Sequence, residues 1–172
     1  MKATHVNIFE AVLEHNPDFG ICDRKQKTVL HCIMPVLNDG ILLRRIIGMH
    51  PPLLNAQTID GVTPLLLAVS YANTIIARGL IEFDADIMIQ DKEDNSVLHY
   101  CAKYDVPDIV GIVLKKKIEL LNHRNSSGCT ALMVAASEGH AELGRTLLSY
   151  RPDLTVVDES GNNVLHHCGD KV

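Results

Sequence analysis

Histidine and cysteine are the side chains best suited to holding a transition metal or to nucleophilic chemistry near neutral pH. They occur nine and five times in this 172-residue chain. Three times they fall together: His31 with Cys32, His99 with Cys101, and His166 and His167 with Cys168. A zinc site or a Cys-His nucleophile would use such neighbours. The spacing argues otherwise. The three groups stand in the hexapeptides TVLHCI, SVLHYC and NVLHHC, from Thr28, Ser96 and Asn163, and TPLLLA from Thr63 and TALMVA from Thr130 fill the gaps. Successive starts are 35, 33, 34 and 33 residues apart, so one structural slot is being reused. Neighbouring slots then lie about 10 Å apart, the packing distance of helices. That is too far for ligands on different repeats to share an ion through bonds of about 2 Å. No metal and no cofactor are expected. The Cys-His pairs also lack an orienting Asp or Asn and a Gly-rich elbow. No G-x-x-x-x-G-K or G-x-G-x-x-G loop is present to cradle phosphates. The chain is expected not to be an enzyme.

The elements that position these residues follow from the unit itself. Thr or Ser at the start of four of the hexapeptides can cap a helix, and Pro64 at a first helical position loses no hydrogen bond. Leu30, Leu65, Leu98, Leu132 and Leu165 occupy one slot, predicted to align into a continuous core. Ala68, Ala102, Ala135 and Ala136 are small where helices must approach. Ile46-Ile47, Leu80-Ile81, Val113-Leu114 and Leu147-Leu148 form the facing wall of second helices. Five residues before each start stand Asp23, Thr58, Asp91, Asn125 and Asp158, small polar side chains suited to fixing a turn.

The clearest unit opens with Gly128-Cys129-Thr130-Ala131-Leu132, continues through Ala135-Ala136-Ser137-Glu138-Gly139-His140 to Leu147-Leu148 and Asp153, and meets the next turn at Asp158. In this order, and in Thr63-Pro64-Leu65, the chain resembles the ankyrin repeat family, whose unit carries T-P-L-H-x-A after a turn. The resemblance implies an all-α ankyrin-repeat solenoid of helix-turn-helix units with short hairpin turns. About four full repeats are expected (23–57, 58–90, 91–124 and 125–157), with partial repeats at 1–22 and 158–172, in a single domain. The repeat from Thr28 is predicted to carry about two extra residues around 35–40. Leu66 and Met133 replace the histidine of the signature in two repeats. Both ends of the chain fall inside a repeat, which suggests a segment of something longer.

Composition narrows the function. Hydrophobic residues make up 47% and charged residues 22%, enough for a packed and hydrated fold, while aromatics are only 4%. A net charge of -5 argues against a phosphate-backbone binder. No apolar run approaches the roughly 20 residues that span a bilayer, so no membrane insertion is expected. The odd cysteine count and the absence of Cys-x-x-Cys disfavour a disulfide framework, and a cytoplasmic or nuclear site is expected.

What the resemblance implies is a recognition module, an adaptor, scaffold or inhibitor binding a protein or extended peptide. The alternative is a targeting or regulatory segment of a larger enzyme, channel or transcription regulator. Two surfaces follow from the family's frame. Val36, Tyr71, Tyr104 and Glu138 each lie eight residues after a repeat start and are predicted to line the groove side of the first helices. The hairpin tips carry Arg24, Lys25, Ile59, Asp60, Lys92, Glu93, Ser126 and Ser127, followed by Glu159 and Ser160. Arg24, Lys25 and Lys27, with Arg44 and Arg45, form a basic region able to steer an acidic partner.

Overall fold

The computed structural model describes residues 11–15 and 17–169, which are helical and free of strands. Helices come in consecutive pairs: α1 (Val29–Ile33) with α2 (Gly40–Met49), α3 (Pro64–Ser70) with α4 (Thr74–Glu82), α5 (Val97–Tyr104) with α6 (Pro107–Lys116), and α7 (Ala131–Glu138) with α8 (Ala141–Leu148). A short α9 (Val164–His167) follows, and 3₁₀ turns at Pro51–Asn55 and Ile118–Asn122 come after α2 and α6. This is the all-α repeat fold that the resemblance implies. Thr28, Thr63, Ser96, Thr130 and Asn163 stand at the N-caps of α1, α3, α5, α7 and α9.

Contacts divide the chain into a first unit, up to Ala85 and carrying α1–α4, and a second, from Asp86 and carrying α5–α9. In the first, α2 lies against α4 so closely that a methyl group on Gly79 would stand 2.9 Å from Leu43 Cδ2. Helix α1 has only five residues against the seven of α3. Gly40 opens α2 12 residues after the Thr28 cap, where Thr74 opens α4 11 after Thr63. One of the two extra residues predicted for this repeat therefore falls in the loop at 34–39, where Met34 and Leu37 turn inward, and the other falls beyond the start of α2, with the 3₁₀ turn. Asn73, the cap of α4, donates from Nδ2 to the Leu37 carbonyl at 2.6 Å and holds that loop. In the second unit His140, before α8, makes the matching bond from Nδ1 to the Ala102 carbonyl at 2.8 Å.

Leu30, Leu65, Leu98 and Leu132 are buried as predicted, but Leu165 is 74% exposed. A second helix lies against the first in the pairs α3/α4, α5/α6 and α7/α8, whereas α9 is the last described helix. Leu165 therefore lines an open apolar cleft of about 470 Å³ with Leu132, Leu148 and Leu154.

The histidine of the signature joins repeats. His31 Nδ1 accepts the Thr28 backbone N–H at 3.2 Å and the Thr28 hydroxyl at 2.8 Å. A ring with Nδ1 as acceptor carries its proton on Nε2, and Nε2 donates to the Val62 carbonyl of the following repeat at 3.0 Å. His99 repeats the arrangement with Ser96, at 3.2 and 2.8 Å, and with the Cys129 carbonyl at 2.9 Å. Both rings are buried. In the repeat from Thr130, Met133 Sδ takes the cap N–H at 3.5 Å instead, so the slot tolerates an apolar residue that gives up the link.

Burial lowers the pKa of both histidines, that of His99 to about 4. Its unfolded value is near 6.5, so between these limits the unfolded chain binds a proton that the folded chain does not. Stability from this ring is full above about pH 6.5 and is lost as pH falls toward 4, by roughly 3 kcal/mol in all. His99→Leu is expected to cost about 2 kcal/mol at pH 7.5 through lost hydrogen bonds and to flatten the decline between pH 6.5 and 4. Urea midpoints of both proteins across that range check this.

Candidate functional site

The hairpin tips are built on one polar side chain per repeat. Asp23 Oδ1 accepts the backbone N–H groups of Lys25 and Lys27, both at 2.8 Å. Asp91 Oδ1 does the same for Glu93 and Asn95, Asn125 Oδ1 for Ser127 and Cys129, and Asp158 Oδ1 for Ser160 and Asn162. Thr58 substitutes its hydroxyl oxygen toward Asp60 and Val62. Three residues further on, Gln26, Gly61, Asp94, Gly128 and Gly161 take left-handed φ values between 56° and 82°. Adjacent tips then bond to each other. The Ile59 N–H donates to the Lys25 carbonyl at 2.8 Å, Ser126 to Glu93 at 2.9 Å, and Glu159 to Ser127 at 3.0 Å.

All the tip residues named from the sequence are exposed: Arg24, Lys25, Ile59, Asp60, Lys92, Glu93, Ser126 and Ser127. Some side chains already have partners. The Ser126 hydroxyl donates to Asp94 Oδ2 at 2.8 Å, and Arg124 pairs with Glu159 at 3.1 Å. Arg44, assigned to the basic region, lies over the Phe83 ring at 5.3 Å.

Val36 does not join the first-helix surface predicted for it: α1 ends at Ile33, which leaves Val36 half-buried in the loop at 34–39, whereas Glu138 ends α7 and is exposed. In the first unit Tyr71 is 52% exposed and borders a cleft with Met34, Pro35, Asn38 and Ile75. In the second, Tyr104 is 40% exposed and leans on Tyr100, ring centroids 5.9 Å apart. The Tyr100 hydroxyl donates to Asp91 Oδ2 at 3.0 Å, and burial with this carboxylate raises its pKa. Tyr100 thus joins the aromatic end of α5 to the neighbouring turn, a role the eight-residue spacing passes over. Ile41 and Ile75, 78% and 61% exposed, each stand two residues after a second-helix cap, Asp39 and Asn73. Their shared register in the period was the signal that would have found them.

The three His-Cys neighbours separate into different environments. Cys101 is fully buried, which pushes its thiol pKa far up, while Cys32 and Cys168 are exposed. The 10 Å spacing expected from helix packing does not hold at the tips. Their backbones hydrogen-bond to one another, and chains so paired run about 5 Å apart. Cys129 of one repeat, and Asp158 and His167 of the next, consequently bring donor atoms to within 4.8 Å of one another. His167 Nε2 and Asp158 Oδ2 are 3.0 Å apart. The backbone N–H of Asn162 leads the causes that lower the Asp158 pKa. Burial, followed by the Asp158 charge, raises that of Cys129.

Paired helices on a 33-residue period, with side-chain-locked tips, define a helical repeat protein. Family models for ankyrin repeats match residues 36–121 (three copies) and 113–168 (many copies), and the chain belongs to the ankyrin repeat family. It is 31% identical over 120 residues to neurogenic locus notch homolog protein 1 of Xenopus laevis, a match covering 70% of this chain and 5% of that protein. The mouse protein of the same name is 31% identical over 112 residues, 65% of this chain and 4% of its own length. A glycerophosphocholine phosphodiesterase of Candida albicans is 30% identical over 132 residues, 71% of this chain and 11% of that protein. The chain spans a small fraction of these relatives. Among the described residues no helix is long and apolar enough to cross a membrane.

Two glycines separate backbone conformation from the closeness of neighbouring tips. A Cβ on Gly128, φ +77°, would stand 2.8 Å from the Glu159 nitrogen and 2.5 Å from Arg124 Nη2, whereas one on Gly161, φ +82°, meets nothing within 4 Å. Gly161→Ala is expected to cost about 1 kcal/mol. Gly128→Ala is expected to cost about 2–4 kcal/mol, because overpacking adds to the strain. Equal urea midpoints for the two variants would contradict the close approach.

Proposed function

We propose that this chain is a non-catalytic protein-interaction module, an adaptor, scaffold or inhibitor, that takes a protein or extended peptide on its hairpin tips and at the ends of its first helices. One observation carries the reading: the tip backbones are held by two side-chain bonds each and bonded to neighbouring tips, while the tip side chains remain in solvent. Such a surface is ordered before binding, so little ordering entropy is lost on association. Tyr71 and Tyr104 add exposed aromatic area of the kind enriched at binding hot spots. Membership of the ankyrin repeat family, whose arrays generally serve protein interaction, supports the same reading. With a net charge of -5, nucleic acid is not the proposed partner. The proposed location is the cytoplasm or nucleus.

The second reading is a targeting or regulatory segment of a larger multidomain protein. It is favoured by the small share, 4–11%, that the matched segment makes up in the relatives. The length of the native reading frame separates the two.

With partners captured on the immobilised chain, Tyr71→Ala combined with Tyr104→Ala is expected to weaken binding by about 2 kcal/mol, roughly 30-fold. The helical circular dichroism should be unchanged. Unaltered affinity removes the tyrosines from the binding surface. For an acidic partner, replacing Arg24, Lys25 and Lys27 by Glu is expected to slow association and to reduce its dependence on salt. Stopped-flow rates at two ionic strengths test this, and an association rate of the parent that ignores salt refutes steering.

A further inference from the structure

We propose that Cys129, Asp158 and His167 form a zinc-binding site joining the tip at 125–129 to the turn and helix that follow it. Their sulfur, carboxylate oxygen and imidazole nitrogen lie within 4.8 Å of one another, with Cys129 and His167 half-buried and Asp158 buried. Zinc takes this donor set, through bonds of about 2.0–2.3 Å that put ligand atoms roughly 3.5 Å apart. Shifts of roughly 1 Å would close the site.

The alternative is an ordinary polar pair between His167 and Asp158, and the repeat shows what that looks like. Four residues after each cap stand Cys32, Leu67, Tyr100, Val134 and His167. In the repeat at 91–124 the Tyr100 hydroxyl reaches Asp91 Oδ2 at 3.0 Å, the same reach His167 makes to Asp158 Oδ2. A hydroxyl therefore meets the needs of the turn. What sets the last site apart is a ring nitrogen in place of the hydroxyl, and a cysteine at the residue before the cap, where the other repeats have Lys27, Val62, Asn95 and Asn162. Three metal-binding types coincide there, and the matching tip positions Asn95 and Asn125 also meet, Asn125 Nδ2 donating to Asn95 Oδ1 at 2.9 Å. Asp158 is also held in a ligating orientation. Its Oδ1 accepts the N–H groups of Ser160 and Asn162, at 2.9 and 2.8 Å, and its Oδ2 accepts Asn162 Nδ2 at 3.3 Å and faces His167. Ligating carboxylates are characteristically fixed by such secondary hydrogen bonds.

When the metal binds, the Cys129 S–H bond breaks, the sulfur–zinc bond forms and the proton leaves to solvent; no electron is transferred. Three protein ligands leave one of four positions for water or for a side chain of a bound partner. The site stands apart from the proposed function, since zinc binding can be read on the isolated chain.

Cobalt(II) is the probe, because thiolate ligation gives a charge-transfer band in the near ultraviolet and tetrahedral geometry gives intense visible bands. The parent is expected to bind one equivalent with both signatures, and zinc is expected to displace it and raise the melting temperature. His167→Tyr copies the Tyr100 arrangement and keeps the fold, and Asp158→Asn keeps the turn acceptor. Both, with Cys129→Ser, are expected to weaken cobalt binding at least tenfold, and Cys129→Ser to abolish the charge-transfer band. The exposed Cys22, Cys32 and Cys168 supply the control: their combined replacement by Ser should leave the spectrum intact. The proposal is overturned if the parent binds no cobalt, if the three site variants bind it unchanged, or if the spectrum disappears with the exposed cysteines.

Discussion

One small polar side chain at the head of each turn carries the rest of the architecture. Asp23, Thr58, Asp91, Asn125 and Asp158 each accept two backbone N–H groups that the reversing chain would otherwise leave to water. With those donors held, the chain leaves the turn extended and enters each first helix at the same residue. The cap, the buried leucine and the signature histidine follow in register. The histidine then returns a bond to the next repeat, from His31 to the Val62 carbonyl and from His99 to the Cys129 carbonyl. A polar network that satisfies every member stabilises and specifies a fold, and among the described residues no buried side-chain nitrogen or oxygen lacks a partner.

Two spacings coexist within each unit. Helices that pack through interdigitated side chains stand about 8–10 Å apart. The tips approach to hydrogen-bonding distance, as Glu159 and Ser127 do at 3.0 Å. The consequence for the surface is a backbone held by hydrogen bonds, with side chains that differ from repeat to repeat. The consequence for chemistry is that residues about 30 positions apart become immediate neighbours, which is how Cys129 meets Asp158 and His167.

The fold was legible because it is periodic. Five caps, four buried leucines and the long loop after α1 all sit where the register puts them, since each depends on local conformation repeated at fixed intervals. The tips and the exposed Tyr71 and Tyr104 were legible for the same reason. Tyr100 was not, because its importance lies in a bond to Asp91 that crosses from helix to turn. Ile41 and Ile75 were passed over because an isoleucine early in a helix reads as core until its exposure is known. Leu165 shows the converse: it occupies a core slot, yet only a covering helix turns that slot into an interior.

By itself, then, the sequence determined the period, the repeat class and which residues share a slot, because these rest on short-range rules of capping, turns and apolar spacing. Tertiary structure alone decided the distance between slots. Helix packing and backbone pairing act on the same repeats at different places and impose separations differing about twofold. The histidines and cysteines with which a reader of the sequence begins are therefore divided by geometry: His31 and His99 become links between repeats, Cys101 becomes core, and Cys129 and His167 converge on Asp158.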